Sequence, residues 1–324
     1  MLDIHLYVHG RGRGHASRAL HVVAALEARG HGVRAFAGRD AFAVLRAHVD
    51  TTSIASLPPR PGLAAVLTLR HRLVADLVRN LEARPDVVVS DGDLPGLCAA
   101  HLCAIPAVAV GHGLVFLACE RPRRVPRLAW WREALKAGVA SVGARRRVAT
   151  HFAVLPLRRR DTILARPPMR QWSLQPDRAR VVGYFRDGID ARHVTAIRSF
   201  DPDAIIFSPG GGPGVLEPSA AAFDAAVACA RVIVATAGSQ LIAECVAHGI
   251  PMLALYREDD DEQRLNAMML ASAGLGHAAP LHALSSALLG EVLAASQSLA
   301  VSALPERDAA AAVVDACESL ARGT

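Results

Sequence analysis

The chain has 324 residues, 52% of them hydrophobic, enough to fill two cores, and its 36 lysines and arginines against 30 aspartates and glutamates give a formal charge of +6. No apolar run approaches the ~20 residues that span a bilayer, and Met1-Leu2-Asp3 leads straight into a strand pattern instead of a signal peptide, so a cytoplasmic protein is expected. Six cysteines without a C-x-x-C, most of them within apolar patterns, point to buried free thiols and away from disulfides or zinc ligands.

Leu2, Ile4, Leu6 and Val8 alternate along a first strand, which runs into Gly10-Arg11-Gly12-Arg13-Gly14-His15; a helix follows over Ala16 to Arg29, with Gly30 as its stop. Strand, glycine-rich turn and helix open a nucleotide- or phosphate-binding α/β domain. Gly12 and Gly14 would let a ligand approach the backbone, and His15 follows them as a candidate general base, since an imidazole with an ordinary pKa near ~6.5 can take a proton from an attacking hydroxyl. The alternative is a histidine that only hydrogen-bonds at the helix start. A dinucleotide site is disfavoured, because the third glycine is displaced and only Asp40 approaches the acid position, and no G-K-[ST] offers a phosphate-binding lysine.

Strand patterns follow at His31 to Ala37 and Thr51 to Ala55, a long helix at Leu63 to Ala83, and a fourth strand at Asp86 to Asp91. Ligands of open α/β sheets lie beyond the carboxyl ends of the strands, so Asp91 and Asp93 would orient His15 or contact an acceptor; equally, either caps the helix starting near Leu94. The strand Ile105 to Val110 ends in Gly111-His112-Gly113, whose flanking glycines suggest an exposed imidazole, with an ordinary loop histidine as the alternative.

Nearly all basic residues are arginine, Lys136 being the only lysine, which reads as compositional bias; no nucleic-acid partner is expected. The arginines around Arg121 to Arg127, Arg145 to Arg147 and Arg158 to Arg160 form either a solvated face or a patch for an anionic acceptor or a peripheral contact with an anionic membrane. Thr150 to Leu155 and Ala179 to Phe185 read as the last strands of the first half.

The second half opens with a strand at Ala204 to Ser208 and the loop Pro209 to Gly214. There Gly211 and Gly212 offer N–H groups as an anion nest, or serve as a plain linker. Val232 to Val234 form a β-branched strand that runs into Ala237-Gly238-Ser239. The helix beginning at Ser239 and Gln240 is a seat for phosphate, because its free N–H groups and dipole are positive. Gly249-Ile250-Pro251 ends that helix, Met252 to Leu255 is the next strand, and a loop carries Glu262, Gln263 and Asn266. Its acidic run, Glu258 to Glu262, reads as solvated and not as a metal site. Leu281 to Arg322 is helical.

G-S-x-x-x-x-E-x-x-x-x-G-I-P from Gly238, then E-Q-x-x-N-A and G-x-G, resembles the donor half of MurG-like glycosyltransferases, and G-x-G-x-G-H-x-x-R over Gly10 to Arg18 resembles their first loop. The resemblance implies an α/β GT-B fold. Two Rossmann-like domains would face each other across a cleft: residues 1–187 for the acceptor, and a shortened domain at 188–324 for the nucleotide sugar, with the last helix returning to the first. It implies that Gly238, Ser239 and Gln240 hold the diphosphate, Glu244 the ribose hydroxyls, and Glu262 and Gln263 the donor-sugar hydroxyls, with His112 near the acceptor. One helix alone separates Gly214 from Val232 where the relatives carry further strand-helix units, which removes part of their nucleobase wall.

The activity implied is inverting, metal-independent transfer of a hexose or N-acetylhexosamine from a UDP-linked donor to a hydroxyl of a small-molecule or lipid-linked acceptor. No cofactor is implied, the nucleotide sugar being a substrate. The first loop equally resembles a nucleotide-sugar hydrolase of pseudaminic acid biosynthesis, and a non-catalytic nucleotide-sugar binder is the third reading.

Overall fold

A computed structural model describes residues 1–10, 13–58, 62–296 and 304–323. In chain order the strands and helices are β1 (Asp3–Val8), α1 (Arg13–Ala28), β2 (Gly32–Ala37), α2 (Arg39–Leu45), β3 (Thr51–Ser53), α3 (Leu63–Ala83), β4 (Val87–Asp91), α4 (Leu94–Leu102), β5 (Ala107–Gly111), α5 (Leu114–Ala118), α6 (Arg127–Ala140), β6 (Arg146–Thr150) and β7 (Thr162–Ala165). The second series is β8 (Arg180–Tyr184), α7 (Ala191–Phe200), β9 (Ile205–Phe207), α8 (Ala220–Ala228), β10 (Ala230–Thr236), α9 (Ser239–Ala247), β11 (Met252–Tyr256), α10 (Asp261–Ser272), β12 (His277–Pro280), α11 (Ser286–Ala295) and α12 (Ala309–Ala321).

The chain divides into two compact units. The first comprises Met1–Glu120, Trp131–Pro168 and Pro305–Thr324. Its seven strands are parallel, in the order β3-β2-β1-β4-β5-β6-β7. The period of two along β1 sends Ile4, Leu6 and Val8 into a core shared with α1 and with Val313 and Cys317 of α12. His5 and Tyr7 point to the other face, where Tyr7 packs on α4 at Gly96 and donates to Asn80 Oδ1 of α3 at 3.1 Å.

A Cβ on Gly96 would lie 2.5 Å from Tyr7 Cγ. Tyr7 is fully buried, so the ring has nowhere to go. Gly96→Ala is therefore expected to lower stability by about 1–3 kcal/mol, read as a lower urea midpoint at unchanged slope.

The second unit comprises Arg121–Trp130 and Met169–Leu304, with a parallel sheet in the order β12-β11-β10-β8-β9. Its core joins Val232 and Val234 of β10 to Leu253 and Leu255 of β11 and to Ile197 of α7. The strand expected at Ala179 to Phe185 as the last of the first half is β8, which pairs with β9 and β10 of the second sheet. The units accordingly divide near Met169, not at residue 188. The strand expected at Thr150 to Leu155 lies earlier, as β6, and Thr162–Ala165 adds a strand the sequence pattern had not marked.

Candidate functional site

In the first unit, β1, β4, β5 and β6 end side by side, and the residues following them gather polar side chains. The helix starts earlier than expected, at Arg13, which places Gly14 and His15 in its first turn. Gly12 lies outside the described residues. A Cβ on Gly14 would meet nothing within 4 Å, so that side of the turn is open.

His15 Nδ1 lies 2.7 Å from Asp91 Oδ1, and its side chain is 32% exposed against 1% for Asp91. Arg18, one turn beyond His15, grips the same carboxylate from Nε at 2.7 Å and Nη2 at 2.6 Å. Burial pushes the Asp91 carboxyl up, but Arg18 and His15 outweigh it and hold its pKa at about 2. A permanently ionised Asp91 accepts from Nδ1–H and leaves Nε2 as the basic nitrogen, the arrangement that orients a general base. Gly92, with φ +71°, turns the chain beneath the imidazole; a Cβ there would stand 3.4 Å from His15 Cε1. Arg18 was visible in the sequence only as the end of a motif. Its spacing of three from His15 on a helix was the signal that both face one partner.

Asp93 takes the capping role. Its Oδ1 accepts from Gly96 N at 3.0 Å and from Arg72 Nη2 at 2.9 Å, and the residue is 3% exposed, so this carboxylate is spent within the fold and not on an acceptor. His112 is buried, contrary to the exposed imidazole that its flanking glycines suggest. Its Nδ1 pairs with the Thr150 carbonyl at 3.0 Å, and its ring packs on Phe116 and His151. Burial, with His112 beside it, holds His151 neutral.

In the second unit, β8, β10 and β11 end together. Gly238 opens α9 without a side-chain cap, whereas α8 and α10 are capped by Ser219 and Asp260. A helix start of this kind, with the positive end of its dipole at Gly238-Ser239, favours an anion. Asn266 Nδ2 donates to the Ala237 carbonyl at 3.1 Å and fixes this turn from α10. Asn266→Ala should therefore loosen the turn and raise the Kd for a nucleoside diphosphate by about fivefold, measured by calorimetry. Arg186, half-exposed and paired with Asp187 at 3.1 Å, follows β8, and its N–H donates to Thr236 Oγ1 at 3.4 Å. It is a cation beside the turn that sequence reading missed.

Glu262 is exposed on the first turn of α10, a helix and not the loop expected there. Gln263 is buried: Nε2 donates to Asp187 Oδ2 at 3.2 Å, and Oε1 accepts from Arg257 N at 3.4 Å. Gly211 and Gly212 do not stand beside the Gly238 turn, because β8 separates β9 from β10. Both have positive φ in a reverse turn, and the Gly211 N–H donates to the Ser208 carbonyl.

Glu244 is 1% exposed and has a resident partner. Arg170 clamps it through Nη2 to Oε2 at 2.7 Å and Nε to Oε1 at 3.1 Å, while Gln240 Nε2 donates to Oε1 at 3.2 Å. Arg170 also pairs with Asp224 at 2.9 Å and lies 5.1 Å from the ring centroids of Trp172 and Phe223. A diol that binds Glu244 has to compete with this guanidinium.

The family model for glycosyl transferase family 1 matches residues 63–296, well over half of the chain. A sequence comparison with the curated proteins finds no match. Among solved structures, MurG of Acinetobacter baumannii aligns with a TM-score of 0.66 at 16% identity over 98% of this chain and 100% of its own. CalG4, the calicheamicin glycosyltransferase, aligns at 0.61 and 17% over 99% and 94%. A Listeria monocytogenes protein described as a UDP-N-acetylglucosamine 2-epimerase aligns at 0.69 and 14% over 100% and 97%. At such identities these likenesses establish the fold alone, two Rossmann-like domains of GT-B type. The family match goes further: the chain belongs to glycosyl transferase family 1 and is a glycosyltransferase.

Proposed function

We propose that the protein transfers a hexose or N-acetylhexosamine from a UDP-linked donor to a hydroxyl of a small-molecule or lipid-linked acceptor, with inversion and without a metal ion. The observation that carries this reading is the His15–Asp91 pair locked by Arg18, a general base with its orienting carboxylate at the carboxyl ends of parallel strands. His15 Nε2 takes the acceptor's proton as its oxygen attacks the anomeric carbon; the bond to the diphosphate breaks in the same displacement, and a single displacement inverts the centre. The leaving diphosphate meets the uncapped start of α9 and Arg186, positive charge of the kind that otherwise comes from a bound cation. Glu244 receives the ribose hydroxyls in place of Arg170, and Glu262 addresses the sugar, joined by Gln263 as its amide exchanges Asp187 for a sugar hydroxyl.

The test is incubation with UDP-, TDP- and GDP-sugars, with and without acceptor pools, following release of nucleoside diphosphate and free sugar. Release that depends on acceptor is expected. Free sugar released at the same rate without acceptor would mean hydrolysis, and binding without release would mean a binder, either of which overturns the transferase reading.

A further inference from the structure

Arg170 is shared between two carboxylates of the second unit. One is the buried Glu244 of α9, which it clamps; the other is Asp224 of α8, 39% exposed, whose Oδ1 accepts from Arg170 Nη1 at 2.9 Å. The backbone beneath the side chain is fixed. The Arg170 N–H donates to Glu244 Oε1 at 3.3 Å, and His248 Nε2 donates to the Arg170 carbonyl at 3.0 Å. Asp224 is pinned as well, because Trp172, two residues beyond Arg170, donates from Nε1 to the same Oδ1 at 2.9 Å. The guanidinium keeps a route to water, its side chain being 36% exposed.

Asp224 uses one oxygen for both bonds. Its Oδ2 accepts no hydrogen bond among the described residues. With Nη1 already on Oδ1, a guanidinium released by Glu244 needs only a small turn to set Nη2 on Oδ2, which exchanges one bidentate pair for another. Trp172 and Phe223, with ring centroids 5.1 Å from the guanidinium carbon, bound that turn and attract the cation.

Charge makes the second seat necessary. Ribose hydroxyls that replaced Arg170 on Glu244 would otherwise separate a largely buried ion pair, a costly step for both partners. A guanidinium retained by Asp224 keeps its counter-charge, while Glu244 keeps the Gln240 amide at 3.2 Å beside the diol.

We propose that Asp224 is a positioning residue for the donor, one that takes over Arg170 when the ribose hydroxyls take Glu244. The inference deepens the sugar-transfer reading and rests on its assignment of the ribose to Glu244. Apparent affinity scales with the fraction of molecules whose ribose seat is open, and the two residues act on that fraction with opposite signs.

The test is calorimetric titration of the whole chain with UDP and with its 2′,3′-dideoxy analogue. Arg170→Met keeps a straight side chain between the rings without the charge, and should tighten UDP binding about fivefold. Asp224→Asn keeps the oxygen that accepts from Trp172 but loses the charge, and should weaken UDP binding about fivefold. In the Arg170→Met background, Asp224→Asn should have no further effect, since it acts through the guanidinium. The dideoxy analogue has no hydroxyls to contest Glu244 and should bind every variant as it binds wild type. Asp224→Asn overturns the proposal if it leaves UDP binding unchanged, weakens UDP and the analogue alike, or weakens UDP equally in the Arg170→Met background. In those cases a Glu244→Ala variant that still loses UDP leaves the ribose reading standing. UDP that fails to bind wild type, or that binds Glu244→Ala equally well, removes that reading and the proposal with it.

Discussion

His15→Ala is expected to slow sugar transfer by ~10²–10⁴-fold, the range for a positioned general base, with the Kd for nucleotide sugar unchanged. Asp91→Asn should reproduce much of the loss for a different reason, because an amide in place of the carboxylate no longer fixes the proton on Nδ1 and no longer holds Arg18. The two variants separate by stability. Asp91 has its pKa held at about 2, below the ordinary carboxylate value, so its contribution is fully present above about pH 4 and is lost as pH falls through about 2; it is of order 2 kcal/mol. Asp91→Asn should forfeit that stability at neutral pH, whereas His15→Ala, at a half-buried ring, should melt near wild type. Denaturant midpoints measured beside turnover check both statements.

Glu244→Ala is expected to weaken donor binding by about 1–3 kcal/mol, or roughly 5–150-fold. Removing Glu244 also strips Arg170 of its bidentate partner and leaves it Asp224 and the rings of Trp172 and Phe223. A loss of stability should therefore accompany the loss of affinity. Arg170→Ala distinguishes the causes. It removes the same ion pair and should lower stability comparably, but it frees the carboxylate, so donor affinity should not fall. Equal weakening by both variants would assign Glu244 to holding the segment around Arg170 instead of the ribose.

Strands and turns of the second unit were legible because β-branched runs followed by small residues leave few alternatives: Val232 to Ser239 is a strand ending in an uncapped helix start, as read. Which sheet a strand joins is another matter. Val181-Val182-Gly183-Tyr184 is apolar on both faces and carries no mark of its neighbours, so β8 read as the end of the first half. Periodicity likewise shows that α3 has two faces without showing which is turned inward; that depended on Tyr7 and Asp93, which meet Asn80 and Arg72 only in three dimensions. The same holds for Arg170. It lies 74 residues from Glu244 in a proline-containing stretch without period, and no local pattern joins them. His15 and Asp91, 76 residues apart, were connected beforehand only because parallel strands deliver their carboxyl ends to one edge.

Direct displacement at the anomeric carbon is the central claim, and proton NMR of the sugar during turnover tests it most directly. With an α-linked UDP-sugar and an alcohol acceptor, the first product is expected to be the β-glycoside, formed together with UDP and abolished in His15→Ala. An α-linked product, or a β-product formed at the wild-type rate by His15→Ala, would contradict it.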